Sequence, residues 1–225
     1  MFAVRPLIAL LCLGVSCAPA TRPAKRQPEP PAATVTTAAA PAAPAPQPAV
    51  KPASASPAPR EVAVARRVEE PALAAEFNNL FVDGDVYFSG WPSEAGLRAM
   101  SARGVKTVIA LKTPEQVLEA RNYDPRKLAK QLGIDLVVIP VSSDTYDLAT
   151  VERFAKAFDA AKGPVLIHCG SSSTVGGVWS GYLYAKRGVP AEQALERGAA
   201  AGLREGPMSD AAERVIGSAK PGGAQ

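Results

Sequence analysis

The segment that most constrains the fold is an apolar run that ends in a histidine, a cysteine and a loop of small hydroxyl residues. Residues 165–167 are Val-Leu-Ile, His168 is the one histidine of the chain, and Cys169 opens the loop Gly-Ser-Ser-Ser-Thr. The amphipathic segment that follows includes Trp179 and Tyr182. This order predicts a strand, a tight loop and a helix. Such a loop directs backbone N–H groups toward one point beside a thiol, which is how proteins bind a phosphate or other oxyanion next to a nucleophile.

The rest of the chain alternates between strand and helix patterns. Two short β-type runs, 79–82 and 86–89, flank an Asp-Gly turn and predict a hairpin. Two further runs, 105–111 and 136–141, have the β-branched apolar composition of buried strands. Caps or helical apolar spacing predict helices after Ser93, after Asp124, and over 148–158, 175–187 and 190–201. We therefore expect an α/β domain, in which helices flank a largely parallel central sheet.

Composition divides the chain into four parts. Residues 18–75 are rich in proline and alanine. Repeated proline removes backbone donors, and large apolar side chains are too few for a core, so this part is expected to be a disordered linker. The folded domain is expected over 76–205, with a C-terminal helix and frayed tail over 206–225.

The first 17 residues have the pattern of an export signal. Arg5 precedes a short apolar core, and the Leu-Gly-Val-Ser-Cys end at 13–17 resembles a bacterial lipobox. We expect lipidation of Cys17, export, and anchoring to the outer membrane with the domain facing the periplasm or the cell surface. The alternative is an ordinary signal peptide cleaved nearby, after Ala18 or Ala20.

Charge and cysteine content argue against several other classes of protein. The net charge is +4, but no basic stripe is interleaved with aromatic residues, so no nucleic-acid partner is expected. Two of the three cysteines lie in the export signal, which leaves Cys169 without a disulfide partner. One histidine and one cysteine fall short of a metal ligand set, so no metal and no cofactor are expected.

The order of these motifs resembles the beta-lactamase-hydrolase-like phosphatase family. The Ser-Gly-Trp-Pro-Ser turn at 89–93 is similar to the Ser-Gly-Gln-Pro-Ser turn of the family, and Ala-Gly-Leu-Arg at 201–204 is similar to its terminal helix. The family is a bacterial branch of the cysteine-dependent protein tyrosine and dual-specificity phosphatases. The resemblance covers about 77–204 and implies a dual-specificity-phosphatase-like domain that acts on a phosphorylated substrate.

The resemblance also implies roles for individual residues. Cys169 would attack phosphorus and form a phosphocysteine, and His168 would support the loop. Asp144 would protonate the leaving oxygen, with Asp147 as a competing acid that is better explained as a helix cap. The phosphate would be bound by the loop residues Gly170, Ser171, Ser172, Ser173 and Thr174.

The loop departs from the family pattern, His-Cys-x-Ser-Gly-x-Arg, at its most important position. Thr174 stands where arginine is expected, and no arginine occurs between Cys169 and Lys186. Losing a charged donor to a transferring phosphoryl group lowers the rate by about 10²–10⁴-fold. Ser172 replaces the loop glycine and is expected to crowd a turn that requires positive φ. Two functions stay open, a weakened phosphatase and an inactive relative that binds an anion or a protein.

Overall fold

The computed structural model describes residues 63–119 and 122–222. The predicted signal peptide, Cys17, and the linker up to residue 62 lie outside the described residues. No helix of the described part is both long and apolar enough to cross a membrane.

A six-stranded sheet forms the centre of the described structure, with the strand order β1-β2-β3-β6-β4-β5. Strands β1, β2 and β3 pair in antiparallel fashion, whereas β3, β6, β4 and β5 are parallel. The strands are β1 (Arg66–Arg67), β2 (Leu80–Asp83), β3 (Val86–Ser89), β4 (Thr107–Ala110), β5 (Asp135–Val138) and β6 (Val165–His168). The largely parallel sheet expected from the sequence is confirmed, and so is the β2–β3 hairpin.

Helices flank this sheet. Within the described residues they are α1 (Pro71–Ala74), α2 (Glu94–Ala102), α3 (Pro114–Glu119), α4 (Pro125–Leu132), α5 (Leu148–Ala160), α6 (Ser173–Arg187), α7 (Ala191–Ala200) and α8 (Pro207–Ser218). The predicted caps are present, since the Ser93 hydroxyl accepts from the Gly96 N–H at 2.9 Å and the Asp124 carboxylate accepts from the N–H of Arg126 at 2.9 Å. These short polar side chains satisfy helix donors that have no intrahelical partner.

Two hydrophobic clusters fill the two sides of the sheet. One contains Ile167 and Cys169 of the β6 region together with residues of α5, α6, α7 and α8. The other contains Leu166 together with residues of α2 and α4. The first cluster includes the aromatic residues Trp179 and Tyr182, which are buried and whose ring centroids are 5.3 Å apart.

The structure corrects three expectations, one about the burial of a strand and two about where the fold begins and ends. Strand β5 is a half-buried edge strand and not a buried one, because within 63–119 and 122–222 only β4 pairs with it. The fold begins before residue 76, since β1 pairs with β2 and Leu73 of α1 is buried. It also continues past residue 205, because Met208 and Val215 of α8 belong to the first cluster.

Candidate active site

The His-Cys loop lies at the carboxyl end of β6, a strand with parallel neighbours on both sides. The carboxyl ends of parallel strands are where α/β proteins bind ligands. The Cys169 N–H donates to the Ser89 carbonyl at 3.2 Å, which continues the sheet pairing by one residue. The Cys169 side chain is 1% exposed.

Residues on either side of the β2–β3 hairpin form hydrogen bonds to the backbone of the His-Cys loop. The side chain of Asn78 and the backbone N–H of Trp91 donate to the Gly170 carbonyl, at 3.0 and 3.3 Å. The Asn79 side chain donates to the Ser171 carbonyl at 3.2 Å. Two successive loop carbonyls are therefore bound to the hairpin segment, which fixes the loop backbone without any ligand.

Ser172 has an unusual conformation and environment. Its φ is +75°, in the left-handed region that favours glycine. The backbone at Ser172 therefore has the positive φ that the sequence predicts for this turn. Its side chain is buried, and its Oγ has no hydrogen-bond partner in the described part of the chain. Gly202 leaves the space that this side chain needs, because a Cβ at Gly202 would lie 2.4 Å from the Ser172 Cβ.

The first turn of α6 is left without a side-chain cap. Ser172 is its N-cap residue, but its hydroxyl makes no capping hydrogen bond. The N–H groups of Ser173, Thr174 and Val175 therefore have no intrahelical acceptor. Uncapped N–H groups and the positive end of the helix dipole favour an anion at this position.

His168 lies away from this turn. Its ring packs 5.3 Å from that of Trp91, measured between ring centroids, and its side chain is 3% exposed. It lines a small apolar cavity together with Leu97 and Tyr123, on the side of the sheet opposite Ile167. Its carbonyl accepts from the Leu111 N–H at 2.8 Å. The proposed role of His168 as a support for the loop therefore stays a prediction.

A cavity of about 340 Å³ opens beside the first turn of α6. Lysine, arginine and glutamate side chains, which the sequence did not single out as site residues, line it together with Ser173 and Thr174. The lining residues are Lys112, Thr113, Gln116, Val141, Ser142, Ser143, Ser173, Thr174, Arg204, Glu205, Gly206, Pro207 and Met208. The position of Lys112 just after β4 was a usable signal, because the ends of neighbouring parallel strands meet at one edge of a sheet.

The two candidate acids occupy different environments. Asp147 caps α5, and its Oδ1 accepts from the N–H and the hydroxyl of Thr150 at 2.8 and 2.7 Å, as the cap interpretation predicts. These hydrogen bonds lower the pKa of Asp147, which makes it a poor proton donor. Asp144 is exposed in the turn that follows Ser142 and Ser143, but it is not among the residues that line the cavity. Glu205 is the carboxylate residue that does line it.

The loop that carries Asp144 is fastened to two helices. The buried Tyr146 hydroxyl donates to the Gly177 carbonyl of α6 at 3.1 Å. Arg214 of α8 donates to the Ser143 carbonyl at 3.0 Å. Burial raises the pKa of Tyr146 well above its ordinary value, so this hydroxyl remains a donor. Asp144 is therefore held near the cavity by its neighbours in sequence.

Residues 63–119 and 122–222 contain no cluster of three or more histidine, cysteine, aspartate or glutamate side chains placed to bind a metal ion.

Comparisons with known proteins identify the fold. No family model matches the chain, and no curated protein matches it. TpbA of P. aeruginosa is 23% identical with a TM-score of 0.54, over 70% of this chain and 91% of that one. A candidate phosphatase (DUF442) of Shewanella putrefaciens CN-32 is 25% identical with a TM-score of 0.52, over 65% of this chain and 96% of that one. A cysteine-to-serine variant of TpbA, solved in complex with phosphotyrosine, is 21% identical with a TM-score of 0.51, over 68% of this chain and 93% of that one.

Proposed function

On the premise of a fold shared with protein tyrosine and dual-specificity phosphatases, we propose that this chain hydrolyses phosphomonoesters through a cysteinyl-phosphate. We further place it in the beta-lactamase-hydrolase-like branch, on the motifs at 89–93 and 201–204. One observation carries the proposal. Cys169 follows the carboxyl end of a central strand, and the loop 170–172 joins it to the uncapped N-terminus of α6.

The proposed reaction has two steps. The Cys169 thiolate attacks phosphorus, so that a P–S bond forms and the ester P–O bond breaks. The leaving oxygen takes a proton from the Asp144 carboxyl group. A water molecule then attacks the phosphocysteine and gives its proton to the Asp144 carboxylate. The P–S bond breaks, which releases phosphate and restores the thiolate.

The loop supplies part of what this reaction needs. The N–H groups of the first α6 turn would bind the phosphoryl oxygens, and the fixed carbonyls of Gly170 and Ser171 keep the loop backbone in place. Thr174 contributes one neutral hydroxyl where an arginine would offer a charged bidentate fork. We therefore propose a weakened phosphatase, slower by about 10²–10⁴-fold than a relative with the arginine.

An aryl phosphate is the substrate class that we propose. The TpbA variant was solved with phosphotyrosine. The cavity beside Thr174 has apolar side chains, Val141, Pro207 and Met208, against which an aromatic ring could pack. Its volume of about 340 Å³ is in the range of small-molecule sites.

The second candidate function is an inactive relative that binds an anion or a protein through the same loop. The observations that favour it are the missing arginine and the 1% exposure of Cys169. Both functions would use the α6 N-terminus, and they differ in whether the thiol reacts.

Turnover of p-nitrophenyl phosphate by the full-length protein separates the two functions. For the enzyme, we expect slow turnover that is lost in Cys169→Ser and raised by about 10²–10⁴-fold in Thr174→Arg. The control is the double variant, in which Cys169→Ser should abolish the activity gained by Thr174→Arg. A silent wild type with an active Thr174→Arg variant would support the inactive relative. Turnover that survives Cys169→Ser would refute the mechanism.

We also propose that the protein is exported and lipid-anchored to the outer membrane through Cys17, facing the periplasm or the cell surface. The lipobox-like sequence at 13–17 supports this. Incorporation of labelled palmitate should be lost in Cys17→Ala. Unlabelled wild-type protein that is secreted in soluble form would overturn the proposal.

A further inference from the structure

We propose that Lys112, assisted by Arg204, supplies the positive charge that the His-Cys loop lacks, by contacting the oxygens of the anion bound at 170–174. This inference rests on the proposed anion site. It assigns to that anion site the positive charge of Lys112, a residue that follows β4 and not β6.

The strand register brings Lys112 to the loop. β4 and β6 are parallel neighbours in which Ala110 pairs with His168. Lys112 and Gly170 each lie two residues beyond that pair, at the same edge of the sheet. A Cβ built on Gly170 would lie 3.1 Å from the Lys112 Nζ, so the ammonium group lies directly against the loop.

Trp91 helps to hold the ammonium group in this place. The Lys112 Nζ is 5.7 Å from the centroid of the Trp91 ring, within the range of a cation–π contact. The backbone N–H of Trp91 also binds the Gly170 carbonyl. One residue thus positions both the loop and the cation beside it.

Among the residues that the structure describes, Lys112 forms no ion pair with a carboxylate. The same holds for Arg204 within 63–119 and 122–222, whereas Arg98, Arg103 and Lys186 each pair with a glutamate. A cation that contacts a ring and no carboxylate keeps its full charge for a ligand.

Arg204 lies at the same cavity. Its backbone N–H approaches the Ser173 hydroxyl at 3.4 Å, and its side chain lines the cavity together with Lys112 and Thr174. Glu205 is the opposing charge among the lining residues, so the lining carries a net charge of +1. A phosphoryl anion beside Thr174 would meet two cations from two separate segments.

Lys112 would act differently from a loop arginine. An ammonium group is a point charge without the fork that binds two oxygens at once. We therefore expect Lys112 to raise the affinity for a phosphoryl anion while recovering little of the geometric specificity of an arginine.

Calorimetric titration of the full-length protein with inorganic phosphate tests this inference. A hydrogen bond to a charged group is worth about 1.5–3 kcal/mol, so Lys112→Met should raise the Kd by about tenfold or more. Lys112→Arg should restore the affinity to within about threefold, and Arg204→Met should have a smaller effect than Lys112→Met. The matched control is Lys106→Met, since Lys106 precedes β4 at its other end and lines a different cavity.

A double-mutant cycle distinguishes charge supply from a structural role. If Lys112 replaces the missing arginine, Lys112→Met should lose most of its effect on the Kd in a Thr174→Arg background. A loss of structure would persist in that background. Thermal unfolding of each variant checks that the fold is intact.

Failure of this inference and failure of the proposed hydrolysis give different results. If turnover depends on Cys169 but Lys112→Met and Lys106→Met have the same Kd for phosphate, the proposed role of Lys112 is refuted and the proposed hydrolysis is supported. If phosphate binding depends on Lys112 but p-nitrophenyl phosphate is not hydrolysed, the inference stands and the hydrolysis proposal falls. Wild-type protein that binds no phosphate overturns the inference.

Discussion

Ser172 offers a direct test of the loop geometry through stability alone. Its hydroxyl is buried without a partner in the described residues, and its backbone is left-handed. A buried polar group without a hydrogen bond costs about 1–3 kcal/mol. A non-glycine residue in the left-handed region costs about 1–2 kcal/mol. Both costs should disappear in stages when the side chain is shortened.

Two substitutions separate the two costs. Ser172→Ala removes the hydroxyl and keeps the Cβ, so we expect the free energy of unfolding to rise by about 1 kcal/mol. Ser172→Gly also removes the cost of a non-glycine residue in the left-handed region. The greater freedom of glycine in the unfolded chain offsets about 0.4–1 kcal/mol of this gain, so the free energy of unfolding should rise by about 0.5–1 kcal/mol beyond that of Ser172→Ala. The total of about 2 kcal/mol corresponds to roughly 4–8 °C in Tm for a domain of this size.

Urea denaturation followed by far-ultraviolet circular dichroism measures these differences. The control is Ser171→Ala, whose φ is not positive and whose side chain is half-buried, so it should change stability by less than about 0.5 kcal/mol. A Ser172→Ala variant no more stable than wild type would refute the unpaired hydroxyl. A Ser172→Gly variant no more stable than Ser172→Ala would refute the backbone cost.

Two further predictions concern the loop that carries the candidate acid. Asp147→Ala should cost about 1 kcal/mol by removing the cap bonded to Thr150, whereas Asp144→Ala should leave stability unchanged while lowering turnover. Because the pKa of Asp147 is lowered in the folded protein, its carboxylate stabilises the fold above the unfolded pKa, and this stabilisation is lost as the pH falls through the folded pKa. The free energies of unfolding of wild type and Asp147→Ala should therefore converge at acid pH. Tyr146→Phe should cost about 1 kcal/mol by removing the bond to the Gly177 carbonyl. It should also reduce the loss of stability above the ordinary tyrosine pKa of 10.0, because the folded pKa of Tyr146 is raised. Tyr182, whose pKa is raised to about 12, should keep part of this loss, and the alkaline arm of a stability–pH profile measures the difference.

Features with local signals could be predicted from the sequence. The hairpin was predicted from its Asp-Gly turn, and α2, α4 and α5 from Ser93, Asp124 and Asp147, each of which forms the expected cap. The strand–loop–helix around Cys169 was predicted for the same reason, since its apolar run and its small residues are contiguous in the chain.

Features that depend on distant pairing could not be predicted. The composition of 136–141 predicts a buried strand, but burial depends on strand order, and in the described sheet β5 has a neighbour on one side only. Arg66 and Arg67 form a strand only because Val82 and Phe81 of β2 pair with them, on the side of β2 that faces away from β3. The convergence of Lys112, Arg204 and Glu205 beside Thr174 is likewise tertiary, since the segments around 112, 174 and 204–205 are far apart in the chain.

The burial of α6 has a consequence for how ligand affinities can be interpreted. Every residue from 175 to 183 is buried, and Tyr146, Gly198 and Met208 approach its glycines so closely that a Cβ at Gly181 would lie 2.0 Å from the Tyr146 hydroxyl. The turn that would receive an anion is therefore preorganised, and binding should require little loss of conformational entropy. Differences in affinity among loop variants can then be attributed to charge and hydrogen bonding, with little contribution from ordering of the loop.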